Sequence, residues 1–206
     1  MATRRGTFAV GATAALLAAL LGTWAASRGG SGALARCRGG QVAGGDLGGP
    51  FALVDGAGRA VTDAEAFAEP TLLYFGYTFC PDVCPFDMLR NAEAAAILDA
   101  QGIPTRPVFV TVDPARDTPE VADAFARNFA DDALGLSGTP SQVAEAQRAW
   151  RVYARLGEGE DYLVDHSAFT YLVLPERGFV DVVGREDPPE AVAERMACFA
   201  EAAGAA

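Results

Sequence analysis

Residues 71–85 read TLLYFGYTFCPDVCP and place two cysteines shortly after a run of apolar residues. The run TLLYFG is preceded by a proline and ends at Gly76. A short, continuous apolar run with such boundaries is typical of a strand that is buried on both faces. Pro85 suits the first turn of a helix, where no backbone N–H is needed. The stretch therefore predicts a buried strand followed by a helix, with Cys80 and Cys84 at the junction.

Further strands and helices are predicted on both sides of this stretch. Two short apolar runs surround Asp55-Gly56, which indicates a hairpin within residues 51–61. The other predicted strands are residues 107–112, 169–174 and 179–183, and the predicted helices begin at Pro85, Thr118, Ser141 and Asp187. This order of elements is thioredoxin-like. We therefore expect an α/β fold with a thioredoxin-like mixed sheet flanked by helices and preceded by an N-terminal hairpin.

The first 49 residues differ in composition from the rest of the chain. Residues 7–26 follow two arginines, carry no charge and are rich in alanine and leucine. Their length matches the roughly 20 residues that span a bilayer as a helix and exceeds the apolar core of most signal peptides. A cleaved signal peptide is the alternative. The predicted division is a membrane anchor or signal-anchor transmembrane helix (1–26), a flexible Gly-rich tether (27–49) and a thioredoxin-like domain (50–206).

Charge is distributed unevenly along the chain. The 16 basic residues are all arginine, and 27 residues are acidic. Residues 46–206 contain 11 of the arginines and all 27 acidic residues, which gives this part a formal charge of −16. A surface of this sign repels phosphate backbones and argues against a nucleic-acid partner. It favours a partner with a basic docking face.

Cys80 and Cys84 are compatible with several kinds of chemistry. A helix N-terminus favours the thiolate over the thiol because its N–H groups and its dipole stabilise negative charge. The three-residue spacer is longer than that of a thioredoxin-type redox motif, although it still permits a disulfide. If this turn is helical, both sulfurs share one face and can hold a soft metal ion. Two structural alternatives are a pair of small buried cysteines and a zinc site, which would need four ligands.

His166 is the only histidine of the chain, so any imidazole chemistry depends on it. It lies in the loop predicted before strand 169–174, and in the thioredoxin-like order this loop lies beside the cysteine motif. We expect His166 to approach Cys80 and Cys84, with Asp165 as the carboxylate that orients its imidazole. Two thiolates and an imidazole suit copper in either oxidation state. The alternative is an ordinary solvated histidine in a loop.

Three segments resemble the Sco/SenC family of membrane-anchored copper proteins that serve cytochrome c oxidase assembly. They are YFGYTFCPDVCP at residues 74–85, VDPARDTP at 112–119 and VDHS at 164–167. The resemblance covers about residues 48–203 and implies a thioredoxin-like fold. It also implies that Cys80, Cys84 and His166 are the ligands of one copper ion, as Cu(I), Cu(II) or both.

The resemblance further implies a role and a set of partners. The implied role is that of a metallochaperone that delivers copper to the dinuclear CuA site of cytochrome c oxidase subunit II, or that of a thiol reductant that prepares this site. A periplasmic copper donor or a thiol reductase is a further expected partner. Asp113 and Asp117 match a family motif that we interpret as structural. The expected location is a bacterial inner (cytoplasmic) membrane, with one N-terminal span and the soluble domain on the periplasmic side.

Two functions from different classes therefore use the same pair of cysteines. The first is the copper metallochaperone. The second is an enzyme, a membrane-tethered thiol–disulfide reductase in which Cys80 and Cys84 are the redox-active catalytic residues. A third, a copper or redox sensor, rests only on the tether and the acidic surface.

Overall fold

We analysed a computed structural model, which describes residues 34–38, 47–159 and 161–204. The predicted anchor at 1–26 lies outside these residues, as does most of the tether at 27–49. Within the described ranges, no helix is both long enough and apolar enough to cross a membrane. The chain divides into two compact units, Met1–Cys37 and Arg38–Ala206. All elements named below lie in the second unit, and the predicted domain boundary at residue 50 stays a prediction.

Five strands form a central mixed sheet in the spatial order β5–β4–β3–β8–β9. The strands of the described residues are β1 (Ala52–Val54), β2 (Ala60–Thr62), β3 (Thr71–Gly76), β4 (Arg106–Thr111), β5 (Leu134–Leu136), β6 (Ala154–Leu156), β7 (Val164–His166), β8 (Thr170–Leu174) and β9 (Gly178–Val183). Strands β3, β4 and β5 are parallel, whereas β8 is antiparallel to both of its neighbours. Every residue of β3 is buried, as the continuous apolar run predicts. The predicted mixed α/β fold is confirmed.

Helices flank this sheet and begin at identifiable capping residues. In the described part of the chain they are α1 (Asp63–Ala66), α2 (Val83–Ala100), α3 (Pro119–Arg127), α4 (Pro140–Ala149) and α5 (Pro189–Ala203). The Thr118 side chain caps α3, as predicted. The prediction of Ser141 as the cap of α4 is wrong, because Thr139 and Gln142 form a reciprocal capping box around Pro140.

The predicted N-terminal hairpin is present as the antiparallel pair β1 and β2. Its turn is closed by Asp55, whose carboxylate accepts hydrogen bonds from the N–H groups of Ala57 at 3.0 Å and Arg59 at 2.9 Å. An aspartate followed by glycine favours such a turn because its side chain can bond the backbone a few residues ahead. The hairpin prediction is therefore confirmed together with its local cause.

Aromatic side chains form much of the core on one side of the sheet. Trp150, which follows α4, is almost fully buried, and its ring centroid lies 5.5 Å from that of Tyr171 on β8. Phe75 on β3 lies 5.9 Å from the same tyrosine in an edge-on arrangement. Aromatic rings at such distances contribute packing energy beyond their buried area. The strands that lead to the cysteine loop therefore rest on a closely packed base.

The sheet topology brings three segments that are distant in sequence to the same end of the central strands. Gly76 at the end of β3 pairs with Thr111 at the end of β4. Tyr74 pairs with Thr170, the first residue of β8. Because β8 is antiparallel to β3, it begins at the edge where β3 and β4 end. The cysteine loop, the loop after β4 and the segment before β8 therefore lie side by side.

The segment predicted as a loop before β8 forms a further two-stranded sheet. Strands β6 and β7 form an antiparallel hairpin in which Ala154 pairs with His166 and Leu156 pairs with Val164. The prediction that His166 lies in a loop is therefore wrong, since it is the last residue of β7. Strands of three residues that carry charged side chains are too short to produce a recognisable alternation of apolar and polar residues.

Candidate metal centre

A glycine allows the cysteine helix to lie close to the end of β3. A Cβ atom built on Gly76 would lie 3.0 Å from Cys84 Sγ and 2.8 Å from the ring of Tyr74. These distances are shorter than normal contacts between side chains. Cys84 therefore reaches its position because residue 76 has no side chain.

Cys80 and Cys84 lie at the N-terminus of α2, as predicted, and Cys80 helps to cap it. The N–H of Cys84 donates a hydrogen bond to Cys80 Sγ at 3.3 Å. Since α2 begins at Val83, this N–H is one of those without a partner inside the helix. Both residues are free thiols, and Cys80 is 7% exposed whereas Cys84 is fully buried. Cys80 therefore carries the sulfur that is closer to solvent.

The environment gives the two thiols opposite acidities. A hydrogen bond from the Cys84 thiol, joined by His166 and by N–H groups at the start of α2, lowers the pKa of Cys80 far below its usual value despite burial. The same interaction with Cys80, together with burial, raises the pKa of Cys84. At neutral pH the pair is therefore a thiolate at Cys80 and a thiol at Cys84. The thiolate is the form that attacks disulfides and binds metals.

The imidazole of His166 presents one nitrogen to the buried sulfur. His166 Nε2 lies 3.5 Å from Cys84 Sγ. The other nitrogen, Nδ1, lies 2.9 Å from the carbonyl oxygen of Ser167, to which an Nδ1–H donates. This bond leaves the lone pair of the neutral ring on Nε2. The predicted approach of His166 to the cysteines is observed, and the ring is held with Nε2 toward them.

The spacing of Cys84 and His166 is compatible both with a hydrogen bond and with two ligands of one ion. With the bond lengths known for zinc, about 2.3 Å to sulfur and about 2.0 Å to nitrogen, two ligands at a tetrahedral angle lie about 3.5 Å apart. The observed distance from Sγ to Nε2 is 3.5 Å. Among the residues that the structure describes, no group of three or more His, Cys, Asp and Glu side chains is placed so that it could hold a metal ion. The assignment of all three ligands therefore stays a prediction.

Asp165 lies next to His166 on the same strand. It is exposed on β7, and the hydrogen bond that the structure shows at His166 Nδ1 goes to the Ser167 carbonyl. Successive side chains of a strand point to opposite faces, which separates Asp165 from the imidazole of the next residue. The role of Asp165 in orienting the ring stays a prediction, and a backbone carbonyl already supplies that contact.

Asp117 fixes the loop that leads to Cys80. This fully buried carboxylate accepts hydrogen bonds from the Thr78 N–H at 2.9 Å, the Thr78 hydroxyl at 2.6 Å and the Thr111 hydroxyl at 2.6 Å. Thr78 lies two residues before Cys80, so Asp117 ties the cysteine loop to the end of β4. The motif that contains Asp117 therefore stabilises the cysteine loop as well as its own loop.

Arg116 connects the same motif to the hairpin that carries His166. Its guanidinium is bound by the Asp113 carboxylate, donates to the Tyr162 carbonyl at 2.9 Å and lies 3.7 Å from the centroid of the Tyr162 ring. The Tyr162 hydroxyl donates to Asp113 at 2.9 Å, which closes the cluster. The Phe79 ring lies 4.8 Å from the same guanidinium. Sequence reasoning missed Arg116 and Tyr162, since only the motif around Asp113 gave any signal.

A buried polar cluster lies next to Cys84 on the side of α2. Arg90 donates to the Thr170 hydroxyl at 2.7 Å and pairs with Asp87 at 3.4 Å. Burial raises the pKa of Asp87, and burial together with Cys84 and Asp87 raises the pKa of Tyr74. Among the described residues, the Tyr74 hydroxyl and Asp87 Oδ2 have no hydrogen-bond partner. The spacing of Asp87 and Arg90 on one helix face was the only sequence signal for this cluster.

A surface cavity of about 530 Å³ opens beside Cys80 and His166. Its walls come from the start of α2, from the β6–β7 hairpin and from the loop after β9. The cavity gives a partner or a small molecule access to the Cys80 sulfur.

The fold and this site together define a class of protein. The chain is a thioredoxin-like domain that places a thiolate, a thiol and an imidazole at the end of its central strands, within reach of the surface. Comparison with known proteins identifies the family. The SCO1/SenC family model matches residues 40–201, so the chain belongs to the SCO1/SenC family.

Individual relatives agree with this assignment. The protein is 44% identical to Protein SenC of Rhodobacter capsulatus over 171 residues, which are 82% of this chain and 77% of that protein. Its structure is similar to that of Arabidopsis thaliana ScoI with copper bound, with a TM-score of 0.71 and 36% identity over 75% of this chain and 98% of the other. Bradyrhizobium japonicum ScoI with copper bound gives a TM-score of 0.67 and 36% identity over 74% and 99% of the two chains.

Proposed function

We propose that this protein is a membrane-anchored copper metallochaperone that binds one copper ion through Cys80, Cys84 and His166. The observation that carries the proposal is the 3.5 Å distance between Cys84 Sγ and His166 Nε2 beside the Cys80 thiolate. Thiolates and a neutral imidazole are the donor set that copper prefers. Two structural relatives that cover about three quarters of this chain were solved with copper bound.

The three donors are already close to the form that copper requires. Cys80 is a thiolate at neutral pH, and the hydrogen bond from Nδ1–H to the Ser167 carbonyl leaves Nε2 as the His166 nitrogen that faces the sulfurs. Cys84 has to lose a proton when copper enters. Cys80 joins the other two ligands by rotation of its side chain away from the Cys84 N–H. Three ligands leave a position on the ion for a donor atom of the acceptor, so copper passes by ligand exchange.

The acceptor in this proposal is the CuA centre of cytochrome c oxidase subunit II. Membership of the SCO1/SenC family supports this choice. The apolar residues 7–26 would hold the domain at the outer face of the bacterial inner membrane through the tether. In this arrangement a periplasmic copper donor loads the site.

A thiol–disulfide reductase is the second candidate, and the opposite acidities of the two cysteines favour it. The Cys80 thiolate would attack a client disulfide and form a mixed disulfide while one client sulfur leaves as a thiolate. Cys84 would then lose its proton to that thiolate and attack Cys80 Sγ. The products are a Cys80–Cys84 disulfide and a client dithiol, so two electrons pass to the client. A periplasmic thiol reductase would have to restore the dithiol.

Native mass spectrometry of the purified full-length protein tests the first proposal. We expect one copper ion per chain with Cu(I) and with Cu(II), and loss of retained copper in Cys80→Ser, Cys84→Ser and His166→Ala. Asp132→Asn, a change of an exposed acid outside the site, is the control, and copper retention by Asp165→Asn measures whether Asp165 matters for the site. Full copper retention by His166→Ala would refute the three-ligand site.

His166→Ala also separates the two candidate functions. This variant keeps both cysteines, so it should still reduce a model disulfide at a rate within a few-fold of the unmodified protein. Its effect on oxidase assembly in cells decides between the functions. Unimpaired assembly of CuA in cells that carry His166→Ala would favour the reductase over the metallochaperone.

A further inference from the structure

The cavity beside Cys80 has walls of two kinds. Several of the lining side chains are apolar, and Leu163 among them is 58% exposed. Two arginines, Arg155 and Arg185, also line the cavity and are exposed. Two carboxylates, Asp82 and Asp165, line it as well. The two arginines therefore offset the two carboxylates, and the Cys80 thiolate leaves one excess negative charge on the walls, whereas residues 46–206 as a whole carry a formal charge of −16.

These two arginines differ from the arginines that stabilise the fold. Residues 46–206 contain 11 arginines, of which six form ion pairs with acidic side chains: Arg59, Arg90, Arg106, Arg116, Arg127 and Arg195. Arg155 and Arg185 are among the five arginines outside this set, and of these five they are the two that line the cavity, with Arg155 opposite Asp165 in the β6–β7 register. A guanidinium binds a carboxylate through two parallel hydrogen bonds, and this geometry favours an incoming carboxylate.

Exposed apolar side chains lie close in sequence to the predicted ligands. The described residues include eight large apolar side chains that are well exposed, and four of them lie within three residues of a predicted ligand. These four are Phe79 (60% exposed), Phe86 (66%), Leu163 (58%) and Phe169 (48%). Single exposed apolar residues are common, but several around one reactive group are typical of a surface that binds another protein.

We propose that this surface binds one loop of the protein acceptor, in which an apolar side chain and a carboxylate lie next to the copper ligands. The apolar side chain would contact Leu163 and Phe169, and the carboxylate would pair with Arg155 and Arg185. This inference rests on the proposed function, because the acceptor is the protein that receives the copper. A loop fits better than a small carboxylate because the exposed apolar residues extend beyond the cavity walls.

The charge pattern also explains how the acceptor would be oriented. The acidic surface as a whole repels carboxylates, and the two arginines of the cavity reduce this repulsion next to Cys80. A basic face on the acceptor would be attracted from a distance, while its one acidic loop would be accepted beside Cys80. Together these effects select the orientation in which the acceptor's copper ligands face the cavity.

Charge reversal of the two arginines in the full-length protein tests this proposal. The probe is the purified soluble domain of oxidase subunit II, and both its association with the chain and the rate of copper transfer are measured. We expect Arg155→Glu and Arg185→Glu each to weaken association and slow transfer about tenfold, and the double variant to do so more strongly. Arg177→Glu is the matched control, because it makes the same charge change in the exposed turn between β8 and β9 at the opposite edge of the sheet. Copper retention by the chain should be unchanged in all of these variants.

The measurements separate failure of this proposal from failure of the proposed function. If the double variant associates and transfers copper as Arg177→Glu does, the docking surface is wrong even though the chain holds copper. If the chain holds no copper, the proposed function fails, and association without copper still tests the surface. Free glutamate that blocks association at low millimolar concentration, with no effect of Phe169→Ser, would show a small-carboxylate site and overturn the loop.

Discussion

Replacement of Asp117 should destabilise the protein by an amount that depends on which hydrogen bonds the new side chain can keep. Asp117 is fully buried and accepts three hydrogen bonds, two from Thr78 and one from Thr111. Asp117→Ala leaves the Thr78 N–H and two hydroxyl groups without their acceptor in the interior. Asp117→Asn keeps the shape of the side chain and changes one acceptor into a donor.

The expected magnitudes follow from these contacts. A hydrogen bond to a charged group contributes about 1.5–3 kcal/mol, but three bonds to one carboxylate are not additive. For Asp117→Ala we therefore expect a loss of about 3–5 kcal/mol in the free energy of unfolding. In Asp117→Asn, the amide oxygen replaces Oδ2 and keeps the bonds from the Thr78 N–H and Thr111, while the amide nitrogen donates to the Thr78 hydroxyl. That variant should lose only about 1–2 kcal/mol.

Denaturant unfolding of the reduced full-length protein, followed by the fluorescence of buried Trp150, measures both values. Asp132→Ala, a change of an exposed acid, is the control and should stay within about 0.5 kcal/mol of the unmodified protein. Because Thr78 leads to Cys80, Asp117→Ala should also weaken copper retention. A loss below about 1 kcal/mol in Asp117→Ala, or equal losses in the two Asp117 variants, would refute this account of the loop.

Four further predictions concern residues around the site. Gly76→Ala should lower the free energy of unfolding by about 1–3 kcal/mol and lower copper affinity, because its Cβ would lie 3.0 Å from Cys84 Sγ. Unfolding and copper titrations measure both effects, and an unchanged copper affinity would contradict the prediction. Because the pKa of Cys80 lies far below its usual value, its alkylation rate should fall less than about threefold when the pH is lowered from 8 to 6. Over the same pH range, a thiol of pKa about 8.5 reacts about 75-fold more slowly. Peptide mass spectrometry measures the rate. The lowered pKa of Cys80 also stabilises the folded, reduced protein at any pH above the pKa that this thiol has in the unfolded chain. This stabilisation is lost as the pH falls from that value toward the pKa of Cys80 in the folded protein. Arg116→Leu should lose about 2–3 kcal/mol and release the Tyr162 segment to faster amide hydrogen exchange, which Arg116→Lys should only partly reproduce.

The sequence predicts the parts of the fold that depend on burial patterns. Strand β3 has the predicted bounds Thr71–Gly76, because its whole length is buried and therefore uniformly apolar. The helix cap at Thr118 could also be predicted, because a threonine followed by proline is typical of the start of a helix. The short strands β5, β6 and β7 were missed, because three residues cannot display a period and tertiary pairing determines them.

The candidate site shows the same division between local and distant causes. Cys80, Cys84 and His166 were found because their residue types are rare and their chemistry is specific. Arg116 and Tyr162 were missed, because the arginine's contact with a carbonyl and a ring in a distant hairpin leaves no pattern in either segment. The predicted partner of His166 was a carboxylate, but the partner observed is the main chain of Ser167, which no side-chain motif can reveal.

The antiparallel course of β8 has a practical consequence for experiments on this protein. The turn at residues 175–177 is partly exposed, contains Glu176 in a left-handed conformation and lies at the edge of the sheet opposite the sulfur atoms. Exposed turns of this kind tolerate inserted sequence. A tag placed there would fix the molecule to a sensor surface in a single orientation, with its reactive edge facing the solution.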